Sequence, residues 1–316
     1  MQRAAQRLAD GDLVAFPTET VYGLGARADH DAAVAKIFHA KGRPADHPLI
    51  VHVLDRDDVE YFAARLGSVA ERLIRTFWPG PLTLILPRAQ GVAQAAAAGQ
   101  PTIGVRSPSH PVARELLAQA RGLGVHGVAG PSANRFGRVS PTRAQHVLDE
   151  FGDAMWVLDG GECDVGIEST IVDCSRERPV WLRPGVLTRE AIQAAAGVPI
   201  EPPDASAPRA PGSLASHYAP AAKVRLMPGP MLHTALQLLG EPTMKLAVYS
   251  RGSLHGVSGA VRQRRMPVHP QQAAHELFSV LRELDAEGVQ LIWVEEPPPD
   301  PAWEGVRDRL VRAAAS

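Results

Sequence analysis

The strongest constraint on the fold is a regular alternation of short apolar runs with helix-length amphipathic segments over the first two hundred residues. Short apolar runs between turn residues are typical of buried strands, and the longer periodic segments are typical of helices. This pattern predicts an α/β domain with a mixed sheet. We expect strands at 13–16, 49–53, 83–86, 103–106, 125–128, 156–158, 170–173 and 180–183, and helices near 31–39, 68–76, 111–120, 142–150 and 188–195. Pro111 suits the first turn of its helix, and Thr142 suits a helix cap.

The composition changes after residue 198. Six prolines lie between 199 and 220 among Ala, Ser and Gly residues, which predicts an extended linker. Beyond it we expect strands at 246–249 and 290–295 and helices near 272–286 and 302–314. The sequence therefore predicts an α/β domain over 1–198, a Pro-rich linker over 199–222 and a smaller α/β domain over 223–316.

Charge, cysteine content and hydropathy exclude several classes of protein. A formal net charge of -1 gives no overall electrostatic attraction to nucleic acid. Cys163 and Cys174 form no C-x-x-C pair, so a structural zinc site or a disulfide framework is not expected, and this usage fits a reducing compartment. No run of 18 apolar residues and no apolar leader occurs, so we expect a cytoplasmic protein with no membrane partner.

Four cations lie where predicted strands or helices end. Lys41 and Arg43 follow a helix, and Arg106 and Arg183 end strands, each among Gly, Pro or Ser residues. A single cation at a helix end is explained by the helix dipole. Four of them predict an anion site at the sheet edge, where α/β proteins bind ligands. The chain has no G-x-x-x-x-G-K-[ST], which disfavours a P-loop fold.

Hydroxyl-rich turns form a second group of candidates, over 17–25, 130–142 and 166–170. Ser and Asn in turns commonly satisfy only the local backbone, but they also suit recognition of phosphate, ribose or an amino acid. There is no H-E-x-x-H, no G-x-S-x-G and no His/Cys cluster with metal-ligand spacing. His52, inside an apolar run, has a simple interpretation as a core histidine. The absence of a nucleophile–base pair favours a reaction driven by positioning and electrostatics, such as nucleotidyl transfer.

The motifs together resemble a known family. The segments that carry the resemblance are Pro17-Thr18-Glu19-Thr20-Val21-Tyr22-Gly23-Leu24, Lys41-Gly42-Arg43-Pro44, Pro79-Gly80-Pro81-Leu82-Thr83, Pro131-Ser132-Ala133-Asn134, Ser169-Thr170-Ile171-Val172-Asp173 and Leu182-Arg183-Pro184-Gly185. They are similar to the YrdC-type domain of the threonylcarbamoyl-AMP synthase family. Pro211-Gly212 and His217-Tyr218-Ala219-Pro220 resemble the linker of its two-domain form.

The resemblance implies a twisted mixed-sheet α/β catalytic domain and a smaller Rossmann-like C-terminal domain. It implies that L-threonine, bicarbonate or CO2, and ATP give L-threonylcarbamoyl-AMP and pyrophosphate, with Mg2+ accompanying ATP. A separate tRNA threonylcarbamoyl transferase complex would use the product. Lys41 and Arg43 are the implied catalytic residues. The implied L-threonine ligands are Thr20, His52, Arg106, Gly130 and Ser169, and the implied ATP ligands are Arg43, His47, Thr102, Ser132, Asn134, Ser140, Arg183 and Tyr218.

Three positions depart from the family pattern. His47 replaces the usual Asn, Gly130 replaces a frequent Ala, and the linker has residues 213–216 in place of a stretch that contains a basic residue. The first departure makes the nucleotide contact at residue 47 uncertain, and the third removes or replaces a basic contact in the linker. A backbone contact at Gly130 is unaffected. Tyr218 is expected to act as part of a lid over the nucleotide.

Two other functions stay open at this point. One is a carbamoyl-adenylating protein of hydrogenase maturation, which has a similar domain but adds Cys-rich zinc motifs that this chain lacks. The other is a double-stranded-RNA- or ribosome-binding module, with weak RNA binding by a surface containing Lys36, Lys41, Arg43 and Arg106. The neutral overall charge argues against RNA as the main ligand, and the arginine cluster at 262–265 is predicted to be a solvated turn.

Overall fold

A computed structural model describes residues 1–212, 217–240, 242–252 and 258–315 of the chain. The chain groups into two units. The first contains Met1–Phe136 and Ser140–Ser213, and the second contains Gly137–Val139 and Leu214–Ser316. The domain boundaries that we expect at residues 198 and 223 stay predictions.

The described residues form ten α-helices and twelve strands. The helices are α1 (Gln2–Ala9), α2 (Asp31–Lys41), α3 (Arg56–Phe62), α4 (Ser68–Phe77), α5 (Pro111–Gly122), α6 (Ala144–Phe151), α7 (Arg189–Ala196), α8 (Gly229–Leu239), α9 (Pro270–Ala286) and α10 (Glu304–Ala314). The strands are β1 (Val14–Phe16), β2 (Gly23–Arg27), β3 (Ile50–His52), β4 (Leu82–Pro87), β5 (Thr102–Arg106), β6 (Val128–Ala129), β7 (Thr170–Asp173), β8 (Val180–Arg183), β9 (Lys223–Met227), β10 (Leu246–Ser250), β11 (Arg262–Arg265) and β12 (Leu291–Glu295).

The first unit is built on an eight-stranded mixed sheet in the order β1-β2-β6-β3-β5-β4-β7-β8. β3 runs parallel to β5, whereas β4 runs antiparallel to β5 and parallel to β7. The largest apolar core takes alternate residues of the central strands, such as Val51, Leu84, Val105 and Val172. Because successive side chains of a strand point to opposite faces, the residues between these project from the other face of the sheet.

The second unit has a four-stranded, all-parallel sheet in the order β11-β10-β12-β9. In the chain, α8 lies between β9 and β10, and α9 lies between β11 and β12. A helix is the usual crossover connection between parallel strands. A small apolar core forms between this sheet and α8 from Leu232, Leu236, Leu246, Val248 and Val261. The predicted fold class, a mixed-sheet α/β domain followed by a smaller Rossmann-like α/β domain, is confirmed.

Most predicted elements of the first unit are present within one or two residues of the expected bounds. Pro111 does occupy the first turn of α5. The helix expected from Thr142 instead begins at Ala144, with Arg143 at its N-cap and no side-chain cap, so the predicted role of Thr142 is wrong. The segment 156–158 is not a strand, since only an isolated bridge joins Val157 to Ala15.

Several elements were missed or misinterpreted from sequence, and the helix α3 is one of them. β2 is rich in glycine, and it forms a strand because β1 and β6 supply its hydrogen-bonding partners. α8 and β9 were not predicted. The arginine cluster over 262–265 is not a turn but the edge strand β11, paired in parallel with β10. The strands β2, β9 and β11 are decided by pairing with neighbouring strands, which overrides local propensity.

Candidate functional site

One face of the first unit's sheet carries four of the predicted site residues, and most of the others lie in loops. The four are His52, Thr102, Arg106 and Arg183. β5 alternates Thr102, Gly104 and Arg106 with the apolar Ile103 and Val105, which enter the core. The pairing of β3 with β5 sets His52 opposite Arg106. Pairing across β4, β7 and β8 brings Thr83, Ile171 and Arg183 onto this same face. The alternation of side chains therefore separates this face, which also carries the apolar Ile50 and Ile85, from the largest core.

The loop between β1 and β2 lies against the Pro131–Asn134 segment. Ala133 N donates to Tyr22 O at 2.8 Å, and Leu24 N donates to Pro131 O at 2.8 Å. Within the loop, Thr18 Oγ1 donates to Val21 O at 2.6 Å and lies 2.8 Å from Thr20 Oγ1. Since the only Thr18 hydroxyl proton is used by Val21 O, the Thr20 hydroxyl must donate to Thr18 Oγ1. Backbone and hydroxyl contacts thus fix Thr20.

Arg106 ends β5 and is buried beside Thr20. Its Nη1 donates to Thr20 Oγ1 at 2.8 Å, and its Nε donates to Gly80 O at 3.3 Å. Its Nη2 lies 2.6 Å from Glu19 Oε1, although the angles of this ion pair fall outside hydrogen-bond geometry. Both charged residues are less than 5% exposed. A planar guanidinium held in this way suits a carboxylate or phosphate ligand.

His52 lies across from Arg106 on β3 and is also buried. Burial, and then the positive charge of Arg106, lower the pKa of its imidazole to about 3, so the ring is neutral at pH 7. Its Nδ1 has no hydrogen-bond partner among the described residues. A Cβ added to Gly130 would lie 3.0 Å from this Nδ1, so glycine keeps the space beside the ring open. A buried, unpartnered ring nitrogen is suited to a polar ligand.

Lys41, the last residue of α2, is buried and holds the Pro131–Asn134 segment. Its Nζ donates to Ser132 O at 2.6 Å and also to Asn134 O. Gly42 ends the helix with a left-handed φ of 61°. Burial, followed by the charge of Arg43, lowers the pKa of the Lys41 ammonium well below its usual value. In this structure, Lys41 therefore shapes the backbone of the predicted site.

Arg43 and His47 meet at the ring of Phe136. The Arg43 guanidinium lies 5.7 Å from the ring centroid and donates from Nη2 to Pro48 O at 3.1 Å. His47 contacts the same ring edge-on at 5.5 Å, and burial and Arg43 lower its pKa. Thr102 is half-buried on the same sheet face as Arg106, about 13 Å from it along β5.

A cluster of Thr83, Ser169 and Arg183 joins β4, β7 and β8. Ser169 Oγ lies 2.8 Å from Thr83 Oγ1, and Arg183 donates to Ser169 O from Nε at 3.0 Å and from Nη2 at 2.9 Å. Nearby in sequence, Glu168 accepts a hydrogen bond from the buried Ser140 hydroxyl. The carboxylate of Glu168 also acts on Lys41 through its charge. These contacts connect residues predicted for both substrates.

Tyr218 belongs to the second unit and is described by its contacts there. It is buried, its ring stacks on Phe278 with centroids 5.5 Å apart, and the Arg309 guanidinium lies 5.2 Å from its centroid. Its φ of 62° is left-handed, which costs a non-glycine residue about 1 kcal/mol or more. The linker departure at residues 213–216 lies outside the described residues.

Three buried residues of this region were not singled out from sequence. Glu19, Thr83 and Glu168 contact Arg106, Ser169 and Ser140, respectively. Each lies inside a motif that drew attention, but no pattern in the sequence pairs it with its partner. For Thr83 a signal did exist, because it shares the period-two register of β4 with core residues on alternate positions.

The charge of the region is dominated by buried cations. Lys41, Arg43, Arg106 and Arg183 are each 8% exposed or less, and Glu19 and Glu168 are the buried carboxylates in contact with them or with Ser140. Arginines stay charged when buried, so this arrangement favours anionic ligands. Among the described residues, no group of three or more His, Cys, Asp or Glu side chains could hold a metal ion. Both cysteines are free thiols.

The comparisons with known proteins agree with this architecture. Residues 6–185 match the Sua5/YciO/YrdC family, described as "Telomere recombination", and residues 187–315 match the family described as "Threonylcarbamoyl-AMP synthase, C-terminal domain". Threonylcarbamoyl-AMP synthase of Pyrococcus abyssi is 38% identical, with 98% of this chain and 93% of that protein covered. The Bacillus subtilis enzyme of the same name is 37% identical, covering 99% and 92%.

A solved structure of P. abyssi Sua5 complexed with L-threonine has the same fold. Its TM-score is 0.90 at 36% identity, and the alignment covers 99% of this chain and 93% of that one. The two-domain α/β fold and these relatives define a nucleotidyltransferase-type enzyme. The chain belongs to the threonylcarbamoyl-AMP synthase family, in its two-domain Sua5 form. In the described part of the chain, no helix is long and apolar enough to cross a membrane.

Proposed function

We propose that this protein is an L-threonylcarbamoyladenylate synthase. It would convert L-threonine, bicarbonate or CO2, and ATP into L-threonylcarbamoyl-AMP and pyrophosphate. The observation that carries the proposal is a buried polar group on this sheet face, in which Arg106 lies beside the fixed Thr20 hydroxyl and across from the neutral His52. A cation, a hydroxyl and a neutral ring nitrogen at one end of a sheet suit the carboxylate and polar groups of an amino acid.

The residues divide into two subsites in this proposal. Thr20, His52, Arg106, Gly130 and Ser169 would surround L-threonine. Arg43, His47, Thr102, Ser132, Asn134, Ser140, Arg183 and Tyr218 would surround ATP, with Tyr218 assigned by the family resemblance alone. The carbamate oxygen would attack the α-phosphorus as the bond to pyrophosphate breaks, and Arg43 would stabilise the developing charge.

Mg2+, the partner complex and the location belong to the same proposal. No carboxylate cluster for a metal is present among the described residues, so no step is assigned to a protein-held ion. Mg2+ would enter with ATP, whose phosphate oxygens are ligands that it prefers. The product would pass to a tRNA threonylcarbamoyl transferase complex in the cytoplasm.

The test is pyrophosphate release from ATP and bicarbonate with and without L-threonine, with L-serine as the comparison amino acid. We expect release that depends on threonine and bicarbonate, and a smaller rate with serine, because one methyl group in a pocket provides about 1–3 kcal/mol of discrimination. Threonine-independent release would favour the carbamoyl-adenylating alternative, and no release would favour a binding module.

A lysine pair on α2 gives a matched control. Lys41→Met removes the donor to two carbonyl oxygens of the Pro131–Asn134 segment, so release should fall at least about 100-fold. Lys36→Met changes an exposed lysine on the same helix, paired with the exposed Asp12 at 3.0 Å, and should leave the rate within about twofold. Equal rates in the two variants would contradict the assigned role of Lys41.

A further inference from the structure

We propose that Glu19 is a positioning residue that fixes the Arg106 guanidinium for the carboxylate of the amino acid substrate. The proposal rests on the proposed function, because that function makes L-threonine the ligand of Arg106. Glu19 itself need not touch the substrate, since it would act through Arg106.

The carboxylate of Glu19 is itself held by the protein backbone. The carboxylate oxygen Oε2 accepts from Ser109 N at 3.1 Å, and the main-chain oxygen of Glu19 accepts from Val165 N at 2.7 Å. Oε1 then faces Arg106 Nη2 at 2.6 Å. The side chain is 6% exposed, so water does not compete with these contacts. Glu19 is therefore a fixed anchor and not a mobile surface acid.

Arg106 is restrained on three sides, yet it keeps donors for a ligand. Nε and Nη1 each donate one hydrogen bond, to Gly80 O and Thr20 Oγ1. Nη2 is ion-paired with Glu19 but has no aligned hydrogen-bond acceptor among the described residues. Of the five guanidinium N–H groups, some on both terminal nitrogens remain available, and a carboxylate uses two in a bidentate contact.

The chain of contacts also determines which atoms can accept from the substrate. The Thr20 hydroxyl donates to Thr18, because the Thr18 hydroxyl donates to Val21 O. Thr20 Oγ1 therefore offers only acceptor capacity to Arg106 and to a ligand. Glu19 and Thr20 together orient the guanidinium before the substrate arrives, so binding does not have to order it.

The test is the Glu19→Gln variant of the full chain. Glutamine has the same length but only one acceptor oxygen for two donors, Ser109 N and Arg106 Nη2, and it carries no charge. We expect the Kd for L-threonine, measured by calorimetry, and its KM in pyrophosphate release to rise about 10-fold, the size of one lost charge-assisted contact. The KM for ATP should change less than about twofold.

Asp58→Asn is the matched control for loss of a buried carboxylate. Asp58 is 3% exposed and pairs with Arg121 Nε at 3.3 Å, and it contacts none of the predicted site residues. It should lower the thermal midpoint without raising the KM for L-threonine. A parallel comparison uses L-threonine amide as an inhibitor. Because it lacks the carboxylate, its Ki should be equal in wild type and Glu19→Gln.

The outcomes separate the two proposals. Wild-type protein that shows no threonine-dependent release overturns the proposed function, and with it the role of Glu19. A wild type that responds to threonine, together with an unchanged threonine Kd in Glu19→Gln, overturns the role of Glu19 alone. Equal losses for threonine, its amide and ATP would indicate a purely structural residue and would also overturn it.

Discussion

Individual buried side chains of the first unit have contacts that their positions in sequence do not reveal. Lys41 lies at a helix end, where a cation commonly stabilises the helix dipole. Its Nζ instead turns inward to the carbonyl oxygens of Ser132 and Asn134. For His52 the difference runs the other way, because its place in an apolar run suggests a core histidine. The unpartnered Nδ1 beside Gly130 makes it a candidate ligand residue.

The first residue-scale prediction concerns the pH dependence of stability. His52 has a folded-state pKa of about 3, below the ordinary value of 6.5. Between these two values the unfolded chain binds a proton at this imidazole and the native protein does not. The contribution of His52 to the free energy of unfolding therefore decreases progressively as pH falls from about 6.5 toward 3. The maximum slope is about 1.4 kcal/mol per pH unit.

The measurement is the free energy of unfolding from urea titrations at several values between about pH 7 and pH 5. His52→Gln should flatten the decline with falling pH. The solvent-exposed His39 on α2 provides the control, and His39→Gln should keep the wild-type slope. An equally steep decline in His52→Gln would show that the imidazole is not buried in its neutral form.

At the scale of elements, close packing between strand ends fixes the cluster of Thr83, Ser169 and Arg183. Gly185 follows β8 and lies against the start of β7. A Cβ there would lie 2.5 Å from Thr170 N and 2.9 Å from Ser169 C, which are backbone atoms that cannot move aside alone. The approach of the two backbones therefore requires glycine at this position.

Gly185→Ala should destabilise the protein by about 1–3 kcal/mol through overpacking and should raise the KM for L-threonine by displacing Ser169. Gly122→Ala is the matched control, because nothing lies within 4 Å of a Cβ at that end of α5. It should be neutral or slightly stabilising. The measurements are urea unfolding and initial rates of pyrophosphate release. A Gly185→Ala protein with wild-type stability would contradict this packing.

For the molecule as a whole, the distribution of charge bears on the RNA-binding alternative. The net charge is -1. The arginines of β11 do not form an unopposed basic strip, because Arg262 pairs with Glu287 at 2.9 Å and Arg264 with Glu283 at 3.4 Å. In the first unit, Lys41, Arg43 and Arg106 are buried and cannot present a surface to a duplex. A long-range attraction to phosphate backbones is therefore weak.

We expect a labelled RNA duplex of about 20 base pairs to bind with a Kd above about 10 μM at about 0.15 M salt, as measured by fluorescence anisotropy. The double variant Arg262→Ala and Arg264→Ala should bind the duplex as weakly as the wild type does. Excess duplex should leave pyrophosphate release unchanged. Submicromolar binding that falls steeply with added salt would revive the RNA-binding alternative.

The sequence alone was sufficient for the α/β class and for most elements of the first unit. Apolar runs such as those at β5 and β7 specify strands because their alternate residues have to be buried. The motifs around Lys41, Ser132 and Ser169 also indicated the family, which the comparisons confirm. Local pattern carried this information, since hydrophobic periodicity and turn chemistry act over a few residues.

Tertiary structure decided the features that depend on distant partners. Gly23–Arg27 becomes a strand only because β1 and β6 lie on either side of it, and Arg262–Arg265 only because β10 offers a free edge. Glu19 meets Arg106 across a long stretch of sequence, so no local pattern could pair them. The physical reason is common to these cases: backbone pairing and buried charge are satisfied in space, and the fold alone brings the partners together.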